Sequence, residues 1–139
     1  MSLRFQQKLI IPATTRPLVD RPRVLAELEQ AVTTRRVVAL AAPAGWGKTT
    51  TLAQWAASSR LPVAWYTLDP ADRDPQLFLD YLLHSVAAFV PGAAEIVARL
   101  AATAPQGLPE LIHAAALPIS AAPAPFALVL DDFHVLDEE

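Results

Sequence analysis

A run of eight residues in the first half of the chain has the types and order of a loop that holds phosphate groups. Residues 42–49 read Ala-Pro-Ala-Gly-Trp-Gly-Lys-Thr and directly follow the apolar run 37–41. Glycines let the backbone curl so that successive N–H groups point at phosphate oxygens, and a lysine brings positive charge to the β- and γ-phosphates. The threonine hydroxyl of such a loop is a ligand for Mg²⁺. The predicted nucleotide-binding residues are Ala44, Gly45, Trp46, Gly47, Lys48, Thr49 and Thr50.

This loop matches a relaxed form of the motif. The strict pattern begins with glycine, where this chain has Ala42. A glycine-containing turn between a strand and a helix, with an exposed lysine, is the simpler interpretation of the same residues. The sequence around the loop favours phosphate binding, because an apolar strand pattern precedes it and a helical pattern follows it over residues 50–57.

A second apolar run ends in two acidic residues. Residues 126–130 read Phe-Ala-Leu-Val-Leu and are followed by Asp131 and Asp132. Acidic residues at the carboxyl end of a parallel strand lie where an α/β sheet binds its ligand. We predict that Asp131 holds Mg²⁺, together with Thr49, and that Asp132 polarises an attacking water, with Lys48 as the second catalytic residue. The simpler interpretation is an acidic turn after a buried strand.

The elements that position these residues follow a strand–helix order. Residues 1–21 predict an extended arm, because Pro12, Pro17 and the following Pro22 block long regular structure. The run 37–41 predicts a strand covered on both faces. The other predicted strands are 63–68 and 126–130, and the predicted helices begin at Pro22 and span 50–57, 75–89, 93–102 and 109–117, with a break at 105–107. This order indicates an α/β fold with a parallel sheet in three layers.

Composition narrows the class of protein. The chain has 139 residues, a net charge of −3 and no cysteine, so one domain of ordinary size is expected, without disulfides or a dedicated nucleic-acid surface. No apolar run approaches the roughly 18–20 residues that span a bilayer, and no signal-peptide pattern is present. A cytoplasmic location, with no membrane contact, fits these features.

Four segments together resemble one known family. They are Val19-Asp20-Arg21-Pro22, the loop 42–50, Ala64-Trp65-Tyr66-Thr67-Leu68-Asp69, and Leu128-Val129-Leu130-Asp131-Asp132-Phe133-His134. This set resembles the N-terminal ATPase part of MalT-like, LuxR-type transcriptional regulators, in the STAND class of signal-transduction NTPases. The resemblance spans nearly the whole chain, and the family has alanine at the position of Ala42.

The resemblance implies a fold, ligands and roles. It implies a P-loop NTPase core that is truncated to its first three core strands, with residues 1–35 as arm and first helix and 36–139 carrying the loop (Walker A) and the acidic (Walker B) strand. It implies ATP or ADP with Mg²⁺ as ligands, and it places Arg21 near the base or the phosphates. ATP would favour an active, self-associating state, and DNA would be bound only through a C-terminal domain that is absent from this chain.

The resemblance also implies that the chain is a fragment. In this ATPase class another strand, downstream in sequence, lies between the loop strand and the acidic strand, so we expect an incomplete sheet with unpaired edges. The parent protein would be a slow ATPase switch and the isolated fragment inactive. Two alternatives stay open, namely a phosphotransferase that acts on small molecules and a non-catalytic interaction fragment.

Overall fold

The computed structural model describes residues 3–13, 19–102 and 108–137. Its helices are α1 (Leu3–Lys8), α2 (Pro22–Thr34), α3 (Lys48–Ser58), α4 (Pro75–Val86), α5 (Ala93–Ala102) and α6 (Leu108–Ser120). Its strands are β1 (Val63–Thr67) and β2 (Ala127–Asp131), and two 3-10 turns span Pro70–Arg73 and Phe133–Leu136. The chain divides into two compact units, one comprising Ile11–Val63 and the other Met1–Ile10 with Ala64–Glu139.

The sheet of the larger unit consists of two parallel strands. β1 and β2 are hydrogen-bonded neighbours, and the Leu68 N–H donates to the Asp131 carbonyl at 3.0 Å, so both strands end at the same edge. Ala64, Trp65 and Tyr66 are buried in succession, as expected for a strand covered on both faces. The alternating burial of β2 is that of a strand covered mainly on one face. The predicted α/β class is therefore confirmed at this level.

Helices α4, α5 and α6 supply the core that covers this sheet. Ala64 of β1 packs with Val86, Val90 and Ala93. A second cluster joins Leu79 and Leu83 of α4 to Ala115 of α6, with Ile96 and Val97 of α5 packed against it. Leu79, Leu83 and Val86 recur at helical spacing along α4, so one face of that helix forms the core.

The smaller unit is built on α2 and α3. A Glu29 carboxylate oxygen accepts a hydrogen bond from the Trp55 indole nitrogen at 2.8 Å, and the other accepts from the Arg60 N–H at 3.1 Å. The Arg60 N–H, helped by Trp55, holds the pKa of Glu29 below its usual range. Leu28 and Trp55 are buried. One carboxylate thus ties the later part of α2 to α3 and to Arg60, two residues beyond the end of α3.

The prediction of a strand at residues 37–41 was wrong. These residues are not in a strand, and the side chains of Val37 and Val38 are 84% and 37% exposed. A strand needs a neighbour to accept and donate its ladder hydrogen bonds. Within the described ranges the sheet contains only β1 and β2. The core therefore has two of the three expected strands, and its identity as a P-loop NTPase core rests on the resemblance.

The prediction of an extended arm over residues 1–21 was wrong at its start. Residues 3–8 form the helix α1, which no proline interrupts because the first proline is Pro12. The predicted ends of two other helices were also wrong, since α4 ends at Val86 and α6 continues through Pro118 to Ser120. The predicted break at 105–107 lies outside the described residues. None of the described helices is long and apolar enough to cross a membrane.

Candidate phosphate-binding site

The loop before α3 has the backbone conformation that its glycines predict. Gly45 has φ of +79°, and Gly47 has φ of +74° with ψ of +32°, both in the left-handed region that favours glycine. Gly47 is the N-cap residue of α3, which begins at Lys48. The N–H groups of the first helical turn lack intrahelical acceptors and face the N-terminal end of the helix, where the helix dipole favours an anion.

Lys48 folds back across its own loop. Its ammonium donates to the Ala42 carbonyl at 2.6 Å and to the Pro43 carbonyl at 3.2 Å. The Trp46 N–H donates to the same Pro43 carbonyl at 3.4 Å. Lys48 therefore closes the loop on itself, and a phosphate at the site would compete with these two carbonyls for the ammonium.

Arg21 lies against this loop. Its Nη1 donates to the Trp46 carbonyl at 3.2 Å and to the Thr51 hydroxyl oxygen at 3.4 Å. Its Nη2 is 3.7 Å from the point where a Cβ on Gly47 would lie. The structure thus brings the predicted Arg21 to the loop. Its neighbour Arg23 is exposed and pairs with Glu27 at 3.0 Å instead.

The other predicted loop residues differ in exposure. Ala44 and Thr50 are exposed, Thr49 is half-buried on the first turn of α3, and Trp46 is 65% exposed. The Trp46 ring thus lies largely in solvent beside the loop. Its indole is therefore a natural reporter of any ligand that reaches the loop.

The two predicted acidic residues lie in the other compact unit, where Asp131 is the last residue of β2 and Asp132 follows it. Asp131 is 4% exposed, and Asp132 is exposed with φ of +59°. Aspartate tolerates this left-handed conformation better than most residues, and it begins the 3-10 turn Phe133–Leu136. Arg73 braces that turn by donating to the Val135 carbonyl at 2.8 Å and the Asp137 carbonyl at 3.1 Å.

The metal role of Thr49 and Asp131 stays a prediction. Within the described ranges, no three or more His, Asp or Glu side chains are grouped so that they could hold a metal ion. Hydroxyl and carboxylate oxygens suit Mg²⁺, which keeps several waters and usually takes further ligands from substrate phosphates.

A buried ionic cluster was missed by the sequence reasoning. The Lys8 ammonium lies 2.9 Å from Asp69 and 2.7 Å from Asp72, and it stands 4.5 Å from the centre of the Tyr81 ring. Asp72 also accepts the Asp69 N–H at 2.7 Å. Asp69 and Asp72, which follow β1, therefore hold Lys8 in place. No local signal identifies this pairing, because 64 residues separate Lys8 from Asp72.

Gly47→Ala and Gly45→Ala are each expected to weaken polyphosphate binding about 5- to 30-fold. A side chain in the left-handed region costs about 1–2 kcal/mol, and that cost is a factor of about 5–30 in an equilibrium. Isothermal titration with inorganic triphosphate measures the change. The matched control is Gly92→Ala, since Gly92 has φ of +83° in a turn outside the loop. Equal binding by all three variants would contradict a loop site.

Comparison with known proteins shows that relatives match nearly the whole chain. No family model matches the chain. The chain is 34% identical over 132 residues to the HTH-type transcriptional regulator MalT of Cronobacter sakazakii, and these residues are 93% of this chain and 14% of that protein. The MalT proteins of Vibrio cholerae and Yersinia enterocolitica are 33% and 32% identical over 133 and 135 residues, each 95% of this chain and 14% of the relative.

These relatives are transcriptional regulators, and the chain corresponds to one segment of each of them. It is a MalT-like segment, as the resemblance of the four segments predicted. The chain spans about one seventh of the length of these relatives. What the whole proteins do, and what they bind, is therefore carried to this chain only as a proposal.

Proposed function

We propose that this chain is the nucleotide-binding segment of a MalT-like transcriptional regulator, with ATP or ADP bound at the loop 42–49. One observation carries the proposal. The loop combines two glycines in the left-handed region, the N-terminus of α3 and the ammonium of Lys48 at a single place. Each of these features favours a phosphate, and together they supply both N–H donors and positive charge.

Magnesium would accompany the nucleotide. The Thr49 hydroxyl is proposed to reach the ion from the loop, and Asp131 to complete its shell directly or through water, while the nucleotide supplies phosphate oxygens. Asp132 is proposed to orient the attacking water. These three roles rest on the resemblance of the chain to P-loop ATPases.

The regulatory part of the proposal is a nucleotide switch. ATP shifts a protein between two states only to the extent that it binds one state more tightly than the other, and a switch further requires that ADP has a different preference. The loop is suited to such a distinction because Lys48 belongs at the β- and γ-phosphates. In the full-length regulator the ATP state would be the active, self-associating one, with DNA bound by a separate helix-turn-helix region.

The proposal is tested by titrating the chain with Mg-ATP and with Mg-ADP while tryptophan fluorescence is recorded. The expected result is saturable binding that changes the emission of the exposed Trp46, with different affinities for the two nucleotides. Trp46→Phe is the control for the reporter, because it removes this signal while calorimetry still detects binding. If calorimetry detects saturable binding of neither nucleotide, the proposal that this chain binds nucleotide is refuted.

A further inference from the structure

We propose that Arg21 is a positioning residue, which sets the orientation of the Trp46–Gly47 peptide in the phosphate-binding loop. The proposal rests on the proposed function, since it assigns a way in which this loop is prepared for phosphate. It differs from direct recognition of the base or the phosphates by Arg21, because the acceptors of Arg21 are groups of the protein itself.

The geometry of one peptide carries the proposal. Arg21 Nη1 donates to the Trp46 carbonyl, and none of the described peptide bonds is cis. In a planar trans peptide the C=O and the following N–H point in opposite directions. The Gly47 N–H is therefore directed away from the guanidinium, and its orientation is fixed as long as Arg21 holds the Trp46 carbonyl.

That N–H is a donor the site needs. Gly47 is the N-cap of α3, and the first intrahelical bond of this end runs from the Thr51 N–H to the Gly47 carbonyl at 2.9 Å. The Gly47 N–H thus has no acceptor within the helix and belongs to the set that holds an anion at a helix N-terminus. A rotated Trp46–Gly47 peptide would present a carbonyl oxygen to the phosphate instead, which repels it.

The Arg21 guanidinium makes a second hydrogen bond, to a residue of α3. The same Nη1 also donates to the Thr51 hydroxyl oxygen at 3.4 Å, and that hydroxyl donates to the Gly47 carbonyl at 2.9 Å. Thr51 is buried on the first turns of α3. Arg21 therefore connects the peptide before Gly47 to the helix after it, so both sides of Gly47 are held.

The position of Arg21 is itself fixed from two directions. Arg21 precedes Pro22, which disfavours the helical conformation at Arg21 (φ of −129°, ψ of +57°), and its carbonyl accepts the Leu25 N–H at 3.1 Å as α2 begins. Further along, Glu29 ties α2 to Trp55 and Arg60. α2 and α3 therefore lie side by side. The start of α2 holds Arg21 against the loop that precedes α3.

Binding of inorganic triphosphate and of ATP by Arg21→Met, measured by isothermal titration, tests the proposal. Triphosphate has no base or ribose, so a loss through loop geometry affects both ligands equally. We expect about a tenfold loss for each, and partial recovery in Arg21→Lys, whose ammonium can donate to the same carbonyl. Arg23→Met is the matched control, because it removes the neighbouring exposed guanidinium and should leave both affinities unchanged.

A ligand-free measurement separates the proposal from the function on which it rests. The residual dipolar coupling of the Gly47 N–H reports the orientation of that bond, and it is expected to change in Arg21→Met and not in Arg23→Met. If the wild-type chain binds neither ligand, the proposed function fails, while this coupling still decides the role of Arg21. An unchanged coupling, or a loss of ATP affinity without a loss of triphosphate affinity, would overturn the proposal.

Discussion

Replacing Lys8 by methionine is expected to lower the free energy of unfolding by about 3–5 kcal/mol. The Lys8 side chain is 14% exposed and its ammonium contacts Asp69 and Asp72, of which the Asp72 side chain is fully buried. Methionine keeps the length of the stem and removes the charge. The change therefore leaves the Asp72 carboxylate buried without its cation, which is the costly way to break a buried ion pair.

Urea denaturation of the two proteins, followed by circular dichroism, measures this difference. Arg23→Met is the control, since it breaks an exposed ion pair with Glu27 and should cost less than about 1 kcal/mol. A loss for Lys8→Met as small as that of the control would contradict the assignment of Lys8 to the core of its unit.

The same ion pair predicts how the difference depends on pH. Partial burial lowers the pKa of Lys8, but its hydrogen bonds to Asp72 and Asp69 outweigh burial and raise the pKa above the usual 10.5. A raised pKa in the folded protein gives stability that is complete below pH 10.5 and is lost as pH rises through the folded value. The gap between wild type and Lys8→Met should accordingly be constant near neutrality and narrow at strongly alkaline pH.

Several elements were predictable because their signals are local. α2 begins at Pro22 and β1 lies within the predicted strand 63–68, while α3 covers the predicted 50–57 and begins two residues earlier, at Lys48. The fixed offsets of glycine, lysine and threonine in the loop similarly required no long-range information. Where the preference of a short segment and the tertiary structure agree, the sequence alone is sufficient.

The failures share one physical cause, which is dependence on a distant partner. The run 37–41 has the composition of a buried strand, yet a strand is defined by the neighbour that completes its ladder. The helix α1 is short, and its Lys8 is held by carboxylates far along the chain, so its preference alone would not hold it. Arg21 reached the predicted loop, but only the structure revealed that its acceptors are the Trp46 carbonyl and the Thr51 hydroxyl.

Lys48→Ala is expected to weaken the binding of inorganic triphosphate and of Mg-ATP by about 10- to 100-fold. A hydrogen bond that involves a charged group contributes about 1.5–3 kcal/mol, and each 1.4 kcal/mol is a factor of ten in affinity. In the ligand-free loop the ammonium is held by the Ala42 and Pro43 carbonyls. These partners lie at the surface of the loop, so the variant should unfold at nearly the wild-type urea concentration.

Net charge and local geometry predict different results for the matched control, Arg36→Ala. Arg36 is exposed and precedes the run that leads to the loop, so its removal changes the net charge as much as the removal of Lys48 does. If affinity depends on the loop, calorimetry will show a loss for Lys48→Ala and almost none for Arg36→Ala. Equal losses would mean that phosphate is attracted by general charge, and the loop 42–49 would no longer be the binding site.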